Sequence, residues 1–478
     1  MKTVSLKNCG KKTKLSALLT AAIVLTLLAM TVLQISAATT TYTEGDYTYK
    51  LTSSGGAAIT KCATTVSGEV VVPSTLGGYN VTELSNNAFY NCSKITKITV
   101  PEGVKKLGTS VFWKCTALKS VVFPQTLSVI NTKDFDGCTA LTSVEFGGVY
   151  EIKNYAFLGC TSITSVDLPE GIKTVWEFAF SGCSSLKSIS YPSTVKTIEP
   201  RVCDTCPAQT TITVDPNNPY FCAVNNVLYN KDMTLLIDVP ALYEGAFVIP
   251  DTVTEIGKYA FADCNGITSV VIPDNVVTIG WEGFLRCYGL ESVTIGNGVT
   301  LIDGGAFWDC PNLKSVDMKL GPNAVLATSA FLLCSSLTEV VIPDTVVEIA
   351  KQNFSNALSL KKIYIPDSVT VFGEKIFEEC PADLVIICSD DSAAAAYADE
   401  YGITHIAPGS EMVRGDFDGD GKVASSDAIY LLRSVMLGEE SYPLTQSGDV
   451  NGDGKTDSTD AIYLLRNILV GGEIYPLA

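Results

Sequence analysis

Two stretches near the end of this 478-residue chain carry side chains spaced for one kind of chemistry. Gly415-Asp416-Phe417-Asp418-Gly419-Asp420-Gly421-Lys422 leads to Asp427, and Gly448-Asp449-Val450-Asn451-Gly452-Asp453-Gly454-Lys455 leads to Asp460, 33 residues further on. Calcium is a hard cation that takes six to eight oxygen ligands, so its loop needs carboxylates and amides at alternate positions plus one backbone carbonyl. Loop positions 1, 3 and 5 are Asp416, Asp418 and Asp420, then Asp449, Asn451 and Asp453. Gly421 and Gly454 occupy position 6, where the backbone must turn sharply, and Lys422 and Lys455 would lend only their carbonyls. The general pattern closes with Glu at position 12; here the residues are Asp427 and Asp460. Position 9 is Ala424 in the first loop and Asp457 in the second, so the first site is expected to bind calcium more weakly. An acidic surface turn would have no reason to recur in phase, and two calcium ions are expected.

Each loop runs into a helix. Ala428, Leu431, Leu432 and Val435 make an apolar stripe on the first, as do Ala461, Leu464, Leu465 and Ile468 on the second. Ala407-Pro408-Gly409-Ser410 breaks any helix before the first loop, so the unit is loop then helix, used twice. On these residues the tail, 415–478 after a linker at 407–414, resembles a type I dockerin. Such modules plug secreted proteins of polysaccharide-degrading anaerobes into cohesin domains of a scaffoldin. The resemblance implies that loop positions 10 and 11 and the helix beyond read the cohesin. Those residues are Ser425, Ser426, Leu432 and Arg433, with counterparts Ser458, Thr459, Leu465 and Arg466. Because both copies read Asp-Ala-Ile-Tyr-Leu-Leu-Arg, a half-turn would present an equivalent surface, and two docking orientations are expected.

Other reactive residues fare less well. The chain has 16 Cys, and eleven of them share one repeat slot, which favours a column of buried thiols over disulfides. Cys203-Asp204-Thr205-Cys206 invites a redox or zinc reading, but Cys203 falls where other units place Phe. The sole histidine, His405, stands apart from any nucleophile of the array. Repeat-phase acids such as Glu145, Asp167 and Asp317 are expected in a row on exposed strands rather than facing each other across a cleft, as glycoside hydrolysis needs.

The elements that carry these residues follow from periodicity. Residues 1–38 have a Lys-rich start, an apolar run from Leu15 to Ile35 and Ser36-Ala37-Ala38, the pattern of a cleaved secretory signal peptide. Cleavage removes five lysines and takes the net charge from −18 to −23, which disfavours nucleic acid or an anionic membrane as partner. No later run is long enough to insert in a membrane. Cys92, Cys115, Cys138, Cys160, Cys183 and Cys206 recur every 22 or 23 residues, and the phase resumes at Cys264, Cys287, Cys310 and Cys334. Ala357 takes the slot before Cys380. A fixed period of this size means a solenoid of stacked units, each with a short strand, a turn and a helical or irregular return bearing Ala-Phe. The fold class is an α/β leucine-rich-repeat solenoid with parallel strands plus a small all-α calcium-binding domain. The array resembles the BspA-like class of bacterial surface proteins. Its expected parts are an amino-terminal cap (39–84), a first array (85–206), a β-hairpin insertion (207–248), a second array (249–380) and a carboxy-terminal cap (381–406).

One further slot is of interest for binding. Ser120, Ser143, Ser165, Ser188, Ser269, Ser292 and Ser315 share it, on strands of the kind that line solenoid binding surfaces. Ser is also small enough to be tolerated on any crowded parallel sheet, and the slot alone does not separate the two. The whole reads as a secreted, extracellular protein docked to a cellulosome-like scaffold, its solenoid serving protein binding or adhesion with a protein or polysaccharide ligand. A polysaccharide-active glycoside hydrolase is the alternative, by association with the dockerin alone. Calcium loops serving only as folding staples are a third.

Overall fold

The computed structural model describes residues 40–408 and, in the carboxy-terminal region, 415, 417, 423–438, 441, 444, 447–470 and 477. The segment 1–38, expected to be a signal peptide, and the first-loop residues Asp416, Asp418, Asp420 and Lys422 lie outside the described residues.

Each coil of the solenoid contributes two short parallel strands to two separate ladders. One ladder holds the Ser slot: Ser143–Glu145 pairs in register with Ser120–Val122, and Ser292–Ile295 with Ser315–Met318. The other is made of shorter strands such as Val129–Ile130, Glu151–Ile152 and Thr174–Val175. The return between them is irregular. Left-handed residues flank the Phe in every coil, for example Lys133 and Gly137 around Phe135, or Glu282 and Arg286 around Phe284. Right-handed helix cannot propagate through such residues.

Apolar positions face inward from both strands and from the return, and stacking joins them into a continuous core. Phe135, Phe157 and Phe180 lie with ring centroids 4.9 and 4.8 Å apart and nearly parallel planes. Phe261, Phe284, Phe307 and Phe331 repeat this at 4.4, 4.8 and 5.1 Å. That spacing matches the roughly 4.7–4.9 Å between hydrogen-bonded strands. The cysteines form a second column. Cys138 Sγ donates to Phe112 O at 3.0 Å, Cys160 to Phe135 O at 3.2 Å and Cys287 to Phe261 O at 3.0 Å, each reaching the preceding coil. All fifteen described cysteines are free thiols, and burial pushes Cys115 up to about 12. A thiol held protonated and out of water is a poor nucleophile.

Where a coil is shorter, glycine absorbs the change. Between Cys138 and Cys160, Gly147 sits at φ +58°, and a Cβ there would lie 2.4 Å from Pro124 O. At the neighbouring Gly148 a Cβ would lie 2.1 Å from Gln125 O.

The Ser-slot ladder breaks between Ser143–Glu145 and Ser165–Asp167 and between Ser315–Met318 and Glu339–Val341, and the repeat itself is interrupted once. Phe221–Val224 and Val227–Asn230 form an antiparallel hairpin, followed by Leu235–Asp238, which rejoins the second ladder beside Glu255–Ile256. The ladders run further into residues 207–248 than the sequence suggests. Thr211–Val214 still pairs with Ser188–Tyr191, and Gly245–Val248 already pairs with Ile267–Ile272. At the amino-terminal end, Thr41–Glu44, Tyr47–Leu51 and Ala57–Cys62 are antiparallel, and the last pairs parallel to Tyr79–Leu84. At the other end, helix α1 (Ala393–Tyr401) starts on Ser392, whose side chain accepts from Ala395 N, and stops at Gly402 with φ +67°. His405 lies in the closing strand Thr404–Ile406, 3.4 Å from Asp399. Beyond it, α2 (Ser425–Leu437) and α3 (Ser458–Val470) pack on each other.

Two measurements check the stacked core. Phe284→Ala should lower unfolding free energy by about 3–5 kcal/mol in denaturant titration. Native protein should resist iodoacetamide at Cys138, Cys160 and Cys287 and take it up fully once unfolded; rapid native labelling at these three would contradict the sealed column.

Candidate functional site

In the tail, buried carboxylates close each loop onto its helix. Asp427 Oδ1 accepts from Phe417 N at 2.7 Å and Oδ2 from Ala424 N at 2.7 Å. In the second unit Asp460 Oδ1 accepts from Val450 N at 2.9 Å and Asn451 N at 3.1 Å, and Oδ2 from Asp457 N at 2.9 Å. Both carboxylates are fully buried. An Asp three residues into the helix that reaches back to the preceding backbone is half of a capping box. The second unit adds an N-cap bond, since Asp457 Oδ1 accepts from Thr459 N at 2.8 Å. Ala424 has no side-chain acceptor to do the same.

The second loop is wound around Asp449. Its carboxylate accepts from Gly452 N, Asp453 N and Gly454 N at 2.8, 3.1 and 2.8 Å. Asn451 Oδ1 accepts from Asp453 N, and Asp453 Oδ1 from Lys455 N. Gly452 and Gly454 take φ +78° and +84°, the left-handed backbone that lets the loop turn back. The donor set is oxygen throughout, from Asp449, Asn451, Asp453, Asp457, Asp460 and the Lys455 carbonyl, which suits a hard cation. Among the described residues no three acidic, thiol or imidazole side chains converge closely enough to form a metal shell. An ion would therefore have to draw the loop's acids together.

The core between the helices is duplicated. Phe417, Ala428 and Leu431 are buried with Val450, Ala461 and Leu464. The packing is crossed: a Cβ on Gly415 would meet Leu464 at 3.0 Å, and one on Gly448 would meet Leu431 at 3.1 Å. Outside this core lie Ser425, Ser426 and Arg433, and likewise Ser458, Thr459, Leu465 and Arg466; Leu432 is half-buried. The structure adds residues that the stripe reading passed over. Ile429, Met436 and Leu437 are exposed, and so are their counterparts Ile462, Leu469 and Val470. The spacing of Ile429 to Met436, and of Ile462 to Leu469, is a helical seven, a signal available in the sequence but masked by the stronger stripe beside it.

On the solenoid, Ser120 and Ser143 are register partners, as are Ser165 and Ser188, and Ser269, Ser292 and Ser315 in turn. All seven are exposed or half-exposed. Lys97 precedes Ser120, and Glu339 pairs with Lys362, in the same slot. The acids do not form the expected continuous row. Glu145 is opposite Val122, Asp167 opposite Ser190 and Asp317 opposite Thr294, and the ladder breaks between the successive strands that carry Glu145 and Asp167. Exposed valines share this second slot, with Val271 beside Thr294 and Val341 beside Tyr364. Cys206 keeps its place in the thiol column, donating to Phe180 O at 3.2 Å, and Cys203 stands in the ring slot.

A BspA type leucine rich repeat model matches residues 82–210 and 254–384, more than half of the sequence and all of it outside the hairpin. The chain belongs to the BspA type leucine rich repeat family. A type I dockerin model matches residues 414–469, so this leucine rich repeat protein carries a dockerin domain after its solenoid. Solved structures agree with the repeat fold. A leucine rich cell surface protein of Faecalibacterium prausnitzii is 27% identical, with a TM-score of 0.54 over 76% of this chain and 98% of that one. A leucine-rich repeat protein of Eubacterium ventriosum is 24% identical, with a TM-score of 0.54 over 71% and 95%. One of Bacteroides ovatus is 24% identical, with a TM-score of 0.51 over 77% and 99%. The last two show the fold alone. Among curated proteins none matches the sequence. Among the described residues no helix is long and apolar enough to cross a membrane.

Removing the Asp460 carboxylate leaves three backbone N–H groups without acceptors. Asp460→Ala should therefore destabilise α3 by about 1–3 kcal/mol, read as faster amide exchange over residues 458–470 in hydrogen-exchange mass spectrometry. Exchange equal to that of the parent protein would show that the carboxylate does not hold the loop to the helix.

Proposed function

We propose that this protein is secreted and docks, through its calcium-ordered tail, onto a cohesin domain of a scaffoldin in a cellulosome-like complex. Its leucine rich solenoid is then the presented part, an adhesion or protein-binding module working alongside polysaccharide degradation. The observation that carries the reading is the tail's internal symmetry. Two helices offer matched outer surfaces, each with hydroxyls at its start, an exposed Ile and Met or Leu along its length, and an Arg between. Surfaces of that composition, an apolar centre with a charged rim, suit a protein partner.

Calcium has a structural role in this proposal. Two ions would be held by Asp416, Asp418, Asp420, Lys422 and Asp427, and by Asp449, Asn451, Asp453, Lys455, Asp457 and Asp460, with the lysines using their carbonyl oxygens. Gathering these oxygens fixes each loop against the start of its helix, where Ser425 and Ser426, or Ser458 and Thr459, stand. The seven aligned serines of the solenoid are the proposed ligand face of the cargo. Their short hydroxyls pair in register in three groups, Ser120 with Ser143, Ser165 with Ser188, and Ser269 with Ser292 and Ser315, and Val271 and Val341 add apolar contact in the adjoining slot.

The test is binding of the full protein to a panel of type I cohesins by surface plasmon resonance, with calcium and with a chelator. Binding in calcium and its loss on chelation are expected. Alanine at Leu465 and Arg466 should leave the first helix able to dock, whereas alanine at Leu432, Arg433, Leu465 and Arg466 together should cost at least about 2 kcal/mol. Binding that ignores the chelator, or no binding to any cohesin, would sink the proposal.

A further inference from the structure

The ladder of phenyl rings has two consecutive gaps at the interruption of the solenoid. The cysteine column marks the slot, because each thiol bonds to the carbonyl of the ring-bearing residue one coil back. Cys264 Sγ bonds instead to Val239 O at 3.4 Å, so Val239 occupies the ring position there. Cys203 occupies it in the coil before. A cavity of about 490 Å³ opens at this seam with Cys203 and Val239 in its wall. That volume lies within the roughly 300–1,000 Å³ of small-molecule sites. Missing rings leave space because the coils on either side are held at fixed pitch by their ladders and cannot collapse inward.

The polar groups of the wall do not all satisfy one another. Arg201 lies between the rings of Phe178 and Tyr259, with its guanidinium carbon 5.5 and 4.7 Å from their centroids. It pairs with Asp204 and, at 3.5 Å, with Asp263. Arg286 grips Asp263 through two bonds of 2.6 and 2.7 Å. Two guanidinium groups and two carboxylates thus balance. Three groups of the wall are left over. No cation or side-chain hydrogen bond reaches the Asp238 carboxylate among the described residues, and burial pushes it up to about 7. Gln209 is 2% exposed, and its Nε2 has no acceptor; neither has Nε of Arg201. Unpaired buried donors and an unpaired carboxylate are costly. Together they ask for a cation and for an oxygen acceptor.

We propose that the seam cavity binds a small molecule presenting an ammonium group beside an oxygen acceptor, the chemistry of a free α-amino acid or of the amino end of a short peptide. The ammonium pairs with Asp238, the oxygen accepts from Gln209 Nε2 and Arg201 Nε, and the apolar side chain fills the space left by the two rings, against Val239 and Leu242. The proposal is independent of what the dockerin tail does.

The experiment is isothermal titration of the full protein with L-leucine, L-leucyl-glycine and 4-methylpentanoate, which is leucine without its amine. One or both amines should bind with a dissociation constant of about millimolar or below, and 4-methylpentanoate at least about tenfold more weakly. The better amine tells a free amino acid from a peptide end. Cys203→Phe restores the ring carried by neighbouring coils; it should abolish binding while keeping the melting temperature. Asp238→Asn and Gln209→Leu should each weaken binding at least about tenfold, and they keep the test decisive should Cys203→Phe fail to fold. The proposal is overturned by no heat from any probe at about 10 mM, by equal binding of leucine and 4-methylpentanoate, or by undiminished binding in the variants that fold.

Discussion

Stacked phenyl rings and hydrogen-bonded strands repeat at one distance, and the rest of the solenoid depends on that coincidence. Parallel strands in register must lie about 4.8 Å apart, and aromatic rings in van der Waals contact can be stacked at nearly the same separation. The ring centroids of Phe157 and Phe180, or of Phe284 and Phe307, are both 4.8 Å apart. The backbone ladder and the core therefore place the same demand on the coil. Thiols fit the same geometry, because Cys Sγ is small enough to sit behind one ring and reach the carbonyl of another. No coil could bury its Phe without its neighbours, so both ends need covers, and the antiparallel strands at one end and α1 at the other supply them.

The tail solves a different problem. Its core is small, with six buried apolar residues among those described, and it relies on carboxylates that tie loop to helix. Asp427 and Asp460 do this twice, in matching places. Crossed packing of Gly415 on Leu464 and Gly448 on Leu431 makes each unit depend on the other. The helices then turn their remaining apolar residues outward, where a partner can meet them.

Much of this was legible in the sequence, for a physical reason. A repeat of 22 or 23 residues leaves the same side chain in the same place in every coil, so Cys, Phe and Ser could each be given a slot before any coordinates. The same subtraction placed Cys203 in a ring position. Three things were not legible. The return of each coil is irregular because residues such as Lys133 and Arg286 take left-handed backbone, and their side-chain chemistry gives no hint of it. The acids at 145 and 167 lie one coil apart but on strands between which the ladder breaks, which only the pairing of strands reveals. The cavity at the seam also escaped, because it arises from two small residues in slots more than thirty positions apart in the chain, brought together by the hairpin between them.

The glycine pair at 147 and 148 has a bearing on how such a chain can change. Those two residues let a shortened coil close against the carbonyls of Pro124 and Gln125 without shifting the strands on either side. Loss of a single codon is thereby confined to one corner, while gain or loss of a whole coil would displace the far end by one strand width and leave every slot aligned. A gene built this way tolerates unequal recombination between its own repeats, and the length of the surface it displays becomes a heritable variable that selection can tune without redesigning the core.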